Sequence, residues 1–160
     1  MLETGGQARL ERALGVAYRY LNRRERTEAE LRGHLEAKGV EPPVLEQTLE
    51  TLAQDGVVDD ARYARLFAED KRELEGWGSE RIRRALRARG VERDLVEAAL
   101  RPQEGEGELE RAAALLRRRF PEPLEDPRER ERALGVLLRK GYESELALEA
   151  LARHGAHGDC

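Results

Sequence analysis

Apolar residues recur along most of this chain three and four positions apart, the interval that lines one face of an α-helix. Leu10, Leu14, Ala17, Tyr18 and Leu21 form one such stripe, Leu31 and Leu35 a second, and Leu45, Leu49 and Leu52 a third. Helix punctuation separates them. "TEAE" at 27–30 is a capping box, in which the Thr27 hydroxyl accepts an orphan amide and Glu30 reaches back. Gly39 ends that helix, and Pro42 and Pro43 suit the opening of the next. The pattern predicts three short helices, the last stopping near Gly56.

The same pattern then returns. Gly39, Gly90 and Gly141 are spaced 51 residues apart, and Leu35, Leu86 and Leu137 precede them in register. Val44, Leu95 and Leu146 coincide under the same shift, as do Leu49, Leu100 and Leu151. Glu41, Glu92 and Glu143 each follow the glycine by two, and Ala13 and Ala17 fall on Ala64 and Ala68. In the second unit Asp59 is expected as an N-cap, "EGWG" at 75–78 breaks the helix and Ser79 caps the one after it. "RPQEGEG" at 101–107 reads as a flexible joint on which the third unit can swing. In the third unit, Asp126, Pro127 and Glu129 start one helix and Ser144 caps the last. A helix ending on a base and a glycine is ordinary. Three at one interval require a repeated unit, and units of about 50 residues are marginal unless they stack. The expected fold is all-α: three tandem three-helix repeats in an elongated, curved array. Their bounds are 8–56, 57–101 and 105–154, with 1–7 and 155–160 as flexible termini.

Composition sharpens this. Charged residues make up 39% of the chain and aromatics 4%, which fits small cores under a charged helical surface. The formal charge of −4 lacks the basic excess of a protein held by nucleic-acid phosphates alone, so such contact needs a local patch. The single Cys160 cannot form an intramolecular disulfide, and no apolar run approaches a membrane span of about 20 residues. A cytoplasmic protein is expected.

Catalytic patterns are missing: there is no His/Asp/Ser set, no Gly-rich phosphate loop and no HExxH. "HGAHGDC" at the end has metal-binding residue types, but its glycines point to a frayed terminus, so neither metal nor cofactor is expected. The clearest candidate is "SERIRRALRARGVER", 79–93, with six arginines against two glutamates. On a helix Ile82, Ala85 and Leu86 share one face, while Arg83, Arg84 and Arg87 cluster within about 100° on the other. Such a cluster, here expected to be exposed, suits phosphate or carboxylate recognition. "RRR" at 117–119 is a second basic block. Arg23, Arg24 and Arg26 form a third, diluted by Glu25. Trp77 either anchors a partner or plugs a seam between helices. Asp60 serves the helix dipole, or binds Arg62 or a neighbouring unit.

Residues 55–91, "DGVVDDARYARLFAEDKRELEGWGSERIRRALRARGV", resemble the signature of the RecX family of recombination regulators. The matching positions are Gly56, Asp59, Asp60, Arg62, Tyr63, Ala64, Arg72, Gly76, Gly78, Arg81, Ile82, Leu86, Arg89, Gly90 and Val91. "YLNRRERTEAELRGHLEAKGV" in the first unit is similar to the family's first-repeat pattern. The resemblance covers residues 10–100 well, and the third unit only as a repeat. It implies a non-enzymatic, monomeric regulator that lodges in the groove of the RecA recombinase filament, with single-stranded DNA inside it as a further contact. Strand exchange and ATP hydrolysis are then inhibited. The candidate partner-binding residues are Arg62, Arg72, Arg81, Arg83, Arg84, Arg87, Arg89 and Arg93, with Asp60 and Trp77. Two other readings stay open: a direct DNA reader of helix-turn-helix type, and a helical-repeat adaptor for another partner.

Overall fold

Gly39, Gly90 and Gly141 each end a helix in left-handed backbone, at φ 79°, 82° and 98°. A side chain strains that conformation and glycine does not. The computed structural model of the chain describes residues 2–103 and 106–156. The first unit holds helices α1 (Leu2–Leu21), α2 (Glu28–Ala37) and α3 (Pro42–Gln54). The second holds α4 (Asp60–Glu75), α5 (Ser79–Ala88) and α6 (Arg93–Leu100), followed by a 3-10 turn at Arg101–Gln103. The third holds α7 (Glu106–Arg119), α8 (Pro127–Lys140) and α9 (Ser144–Ala156). No strand occurs among the described residues. Helix α1 takes in residues 2–7, and α9 takes in 155–156. His157, Asp159 and Cys160 of the terminal motif lie outside the described residues.

Each unit has its own core. Ala17, Leu31, Leu35, Leu45, Leu49 and Leu52 fill the first. Ala64, Ala68, Ile82, Leu86, Val96 and Leu100 fill the second. Leu116, Ala133, Leu137, Tyr142, Ala147 and Leu151 belong to the third. The alanines let the first helix of a unit approach its neighbours closely, and the leucines interdigitate around them. Three cores in a row leave much surface. The chain exposes 10,464 Å², where a compact monomer of 18.2 kDa would expose about 8,100 Å².

The caps explain part of the repeat. Thr27 and Glu30 form the expected capping box, and the Asp59 carboxylate accepts the Arg62 amide. Glu41 and Glu92 are the N-cap residues of α3 and α6, and the Glu143 carbonyl accepts the Ala147 amide at the start of α9. The thrice-repeated glutamate is therefore a helix entry. Ser144 is the first residue of α9 rather than its cap.

Two joints link the units, and they share one design. The glycine-terminated end of a unit's second helix abuts the start of the second helix in the unit before it. At the first joint the Thr27 hydroxyl donates to the Arg89 carbonyl at 2.6 Å, and the Asp60 carboxylate accepts the Glu28 amide at 2.9 Å. A β-carbon on Gly90 would come within 2.3 Å of the Ala29 β-carbon. At the second joint the Gly78 amide donates to the Lys140 carbonyl at 2.7 Å and the Glu80 amide to the Gly141 carbonyl at 2.9 Å. Here a β-carbon on Gly141 would lie 2.2 Å from that of Arg81, and one on Gly78 would lie 2.6 Å from the Gly141 backbone. That crowding corrects the expected cap of α5. Gly78 occupies the N-cap because only glycine fits against Gly141. Ser79 sits one residue inside, buried, and both its amide and its hydroxyl bind the Glu108 carboxylate, at 2.7 and 2.9 Å. These bonds pin the third unit to the second, so the expected free swing at 101–107 is opposed by the joint itself.

Candidate partner-binding surface

The arginine helix α5 lies between the two joints. Its inner face buries Ile82 and Leu86 completely, which sends its arginines outward or sideways. The structure divides the ten candidate residues into two groups.

The first group is engaged inside the second unit or across its joints. Asp60 serves the neighbouring unit by accepting the Glu28 amide, and burial raises its carboxyl above the ordinary value. Arg62 donates to the Gly56 carbonyl at 3.2 Å and pairs across the joint with Glu25 at 3.7 Å. Arg89 lies 4.6 Å above the Phe67 ring and donates to the Ala85 carbonyl. Arg72 is half-buried. Burial first, and then the charge of Arg111, lowers its affinity for its proton. Trp77 meets Phe67 edge-on at 6.3 Å, and Arg81 covers its face at 4.0 Å. Arg81 also donates to the Arg139 carbonyl at the second joint. The seam-plug reading of Trp77 therefore holds for one edge of its ring.

The second group faces outward. Arg84, Arg87 and Arg93 are exposed. Arg83 is not free, contrary to the expectation for this face. It is clamped between Glu80 and Glu97, with its Nε 2.7 Å from the Glu97 carboxylate, and that bond holds Glu97 below the usual carboxylate range. The physical reason is the short turn after Gly90. It brings α6 back alongside α5, so an acid 14 residues away reaches Arg83, which helical spacing within α5 cannot reveal.

Between the second and third units runs a groove of about 640 Å³, lined by Trp77, Arg81, Arg84, Ala85, Leu138 and Arg139. It offers an apolar floor with a guanidinium rim, an arrangement suited to anchoring an acidic or amphipathic protein segment. Leu138 and Arg139 were missed by sequence reasoning. Their signal was present in "LLRKG", where two consecutive leucines on a helix cannot both face the core. Among the described residues no group of His, Cys, Asp and Glu is placed to hold a metal ion. No helix among them is long and apolar enough to cross a membrane.

Comparisons with known proteins fit this architecture. Three family models match: the first three-helix domain of RecX over residues 13–52, the second over 59–100 and the third over 106–151. The chain is 39% identical over 132 residues to the regulatory protein RecX of Deinococcus radiodurans, covering 82% of this chain. It spans 63% of that relative, less than two thirds of its length. It is 32% identical over 149 residues to the regulatory protein RecX of Mycobacterium sp. (strain JLS), covering 89% of this chain and 81% of the relative. With the same-named protein of Xanthomonas campestris pv. campestris (strain B100) it shares 37% identity over 139 residues, covering 86% and 82%. The crystal structure of RecX from Lactobacillus salivarius superposes with a TM-score of 0.82 at 17% identity, covering 94% of this chain and 99% of that one. A second crystal structure of regulatory protein RecX gives a TM-score of 0.75 at 24% identity, covering 93% and 74%. At those identities the structural likeness establishes the fold.

Proposed function

The chain belongs to the RecX family of regulatory proteins, and on that premise we propose that it binds the RecA recombinase filament on single-stranded DNA and inhibits strand exchange and ATP hydrolysis. The observation that carries the reading is the open row of three units with separate cores. Such a row can meet successive protomers of a helical polymer, and linked weak contacts then add up as avidity. The groove at the second joint, with Arg84 and Arg139 on its rim, is the surface for that contact, and Arg87 and Arg93 are exposed elsewhere on the same unit. A net charge of −4 gives the chain no general attraction for DNA, while this local basic strip still attracts an acidic rim. The role is that of a binding regulator rather than a catalyst, in keeping with the names of its relatives.

A helix-turn-helix reader needs the N-terminal turn of its recognition helix free to enter the major groove. The first turn of α5 is instead docked on Gly141 and Glu108, which argues against that reading.

The test is the DNA-dependent ATPase of the cognate recombinase. Substoichiometric protein should lower it, and Arg84→Glu with Arg87→Glu should raise the concentration needed at least tenfold while helical circular dichroism stays the same. An ATPase left untouched by equimolar protein would refute the proposal. Reversal at Arg83 is a poor probe, because it places a carboxylate against Glu80 and Glu97.

A further inference from the structure

The block "RRER" at 23–26 looks diluted by its glutamate, but the fold removes that dilution. Glu25 turns away to pair with Arg62 across the first joint, and Glu30 pairs with Arg24 while closing the capping box. What remains beside them is a cleft of about 300 Å³ on the first unit, lined by Val16, Arg19, Tyr20, Arg23, His34 and Lys38, without a carboxylate. No acid pairs with Arg19, Arg23, Arg26 or Lys38 among the described residues. At its heart is a stack. The Tyr20 and His34 rings are parallel within 3° at 3.9 Å, and the Arg26 guanidinium covers the Tyr20 ring, also at 3.9 Å. Tyr20 is thus filled on both faces, which leaves His34 as the outer ring of the stack. In a chain of net charge −4, this is a built concentration of positive charge around aromatic surface.

We infer that this cleft is a second anion site, independent of the groove at the second joint, and that it takes the phosphodiester backbone of a single nucleic-acid strand. Three unpaired cations match a phosphate, the His34 ring offers a base a stacking platform, and the volume holds one nucleotide-sized group rather than a helix. An acidic polypeptide shares the charge but has no use for the aromatic platform. The groups around His34 are Lys38 on α2, Arg19 and Tyr20 on α1, and Arg23 and Arg26 in the connecting loop. Burial first, then the charges of Lys38, Arg26 and Arg23, lowers the His34 pKa. His34 is therefore neutral at pH 7.5, and on acidification it becomes one more cation in the cleft.

The experiment uses the whole chain and a fluorescent thymidine oligonucleotide, with no recombinase present, so it does not depend on the filament reading. Anisotropy at low salt should show binding. Arg23→Glu with Lys38→Glu should weaken it at least tenfold and reduce the slope of log affinity on log salt by about 1.4, two contacts at about 0.7 each. Both residues are exposed, so helical circular dichroism should persist. The same charge change at the exposed Arg128 and Arg130 of α8 should alter affinity less than threefold. Affinity should rise as the pH falls below the ordinary histidine range, and His34→Gln should abolish that rise. The inference is overturned by absence of binding, by equal loss in the two double variants, by a pH response that survives His34→Gln, or by equally effective competition from polyglutamate.

Discussion

Gly39, Gly90 and Gly141 share one backbone conformation but not one environment. Nothing lies within 4 Å of where a β-carbon on Gly39 would sit, whereas Gly90 faces Ala29 and Gly141 faces Arg81. Alanine at Gly39 therefore meets only the left-handed penalty, about 1–2 kcal/mol. At Gly90 or Gly141 the clash adds an overpacking cost of about 1–3 kcal/mol. Urea unfolding of Gly39→Ala, Gly90→Ala and Gly141→Ala should rank them in that way, with Gly39→Ala the mildest. Ala29→Gly should partly rescue Gly90→Ala and do nothing for Gly141→Ala, since coupling is confined to residues in contact. Equal effects at all three positions would show that the joints are looser than described. At this scale the sequence revealed that three glycines end three helices. It did not reveal that two of them also face a neighbouring helix, because that depends on residues about 60 positions away.

Among the elements, α5 is held at both ends and α7 supplies the lock. Glu108 is buried, and its two oxygens take the amide and hydroxyl of Ser79. Glu108→Ala strands both groups, each costing about 1–3 kcal/mol. Glu108→Gln keeps one acceptor and should cost less. The expected outcome is loss of stability in the order Ala, then Gln, together with faster proteolysis between α6 and α7. Unchanged proteolysis in Glu108→Ala would mean that this pair does not hold the joint. The candidate residues show the same limit on what an element's own sequence displays. Periodicity placed Arg84 and Arg87 outward correctly, and it placed Arg83 there too. Only the return of α6 along α5 supplies Glu97 and removes Arg83 from the free set. In the first unit the error ran the other way. Glu25 counted against a basic cluster in sequence, yet its side chain pairs with Arg62, and among the described residues Arg23 and Arg26 are left without an acid while Arg24 pairs with Glu30.

For the whole molecule, separate cores make stability a matter of units and their nearest neighbours. Leu137 is fully buried in the third core. Leu137→Ala should cost about 2–5 kcal/mol locally. Hydrogen exchange should report it as lost protection across α7–α9, a smaller change in α4–α6 and none in α1–α3. Uniform loss along the chain would show a single cooperative body instead. The same separateness supports the proposed function, because a protein meant to follow a helical polymer benefits from units that keep their own cores while the joints between them yield slightly.

The sequence by itself determined the helices, most of their caps and their threefold repetition, since these follow from local spacing, dipole and backbone preference, all of which act within a few residues. It also carried the family resemblance and a basic helix. Tertiary structure alone decided how the units meet and which charges are free. An ion pair depends on distance in space: Glu97 reaches Arg83 from α6, and Glu25 reaches Arg62 from the loop between α1 and α2. The same long-range placement engaged the Asp60 carboxylate at the first joint and set Arg89 and Trp77 against the Phe67 ring, and it left an uncancelled basic cleft on the unit where the sequence showed a mixture of signs.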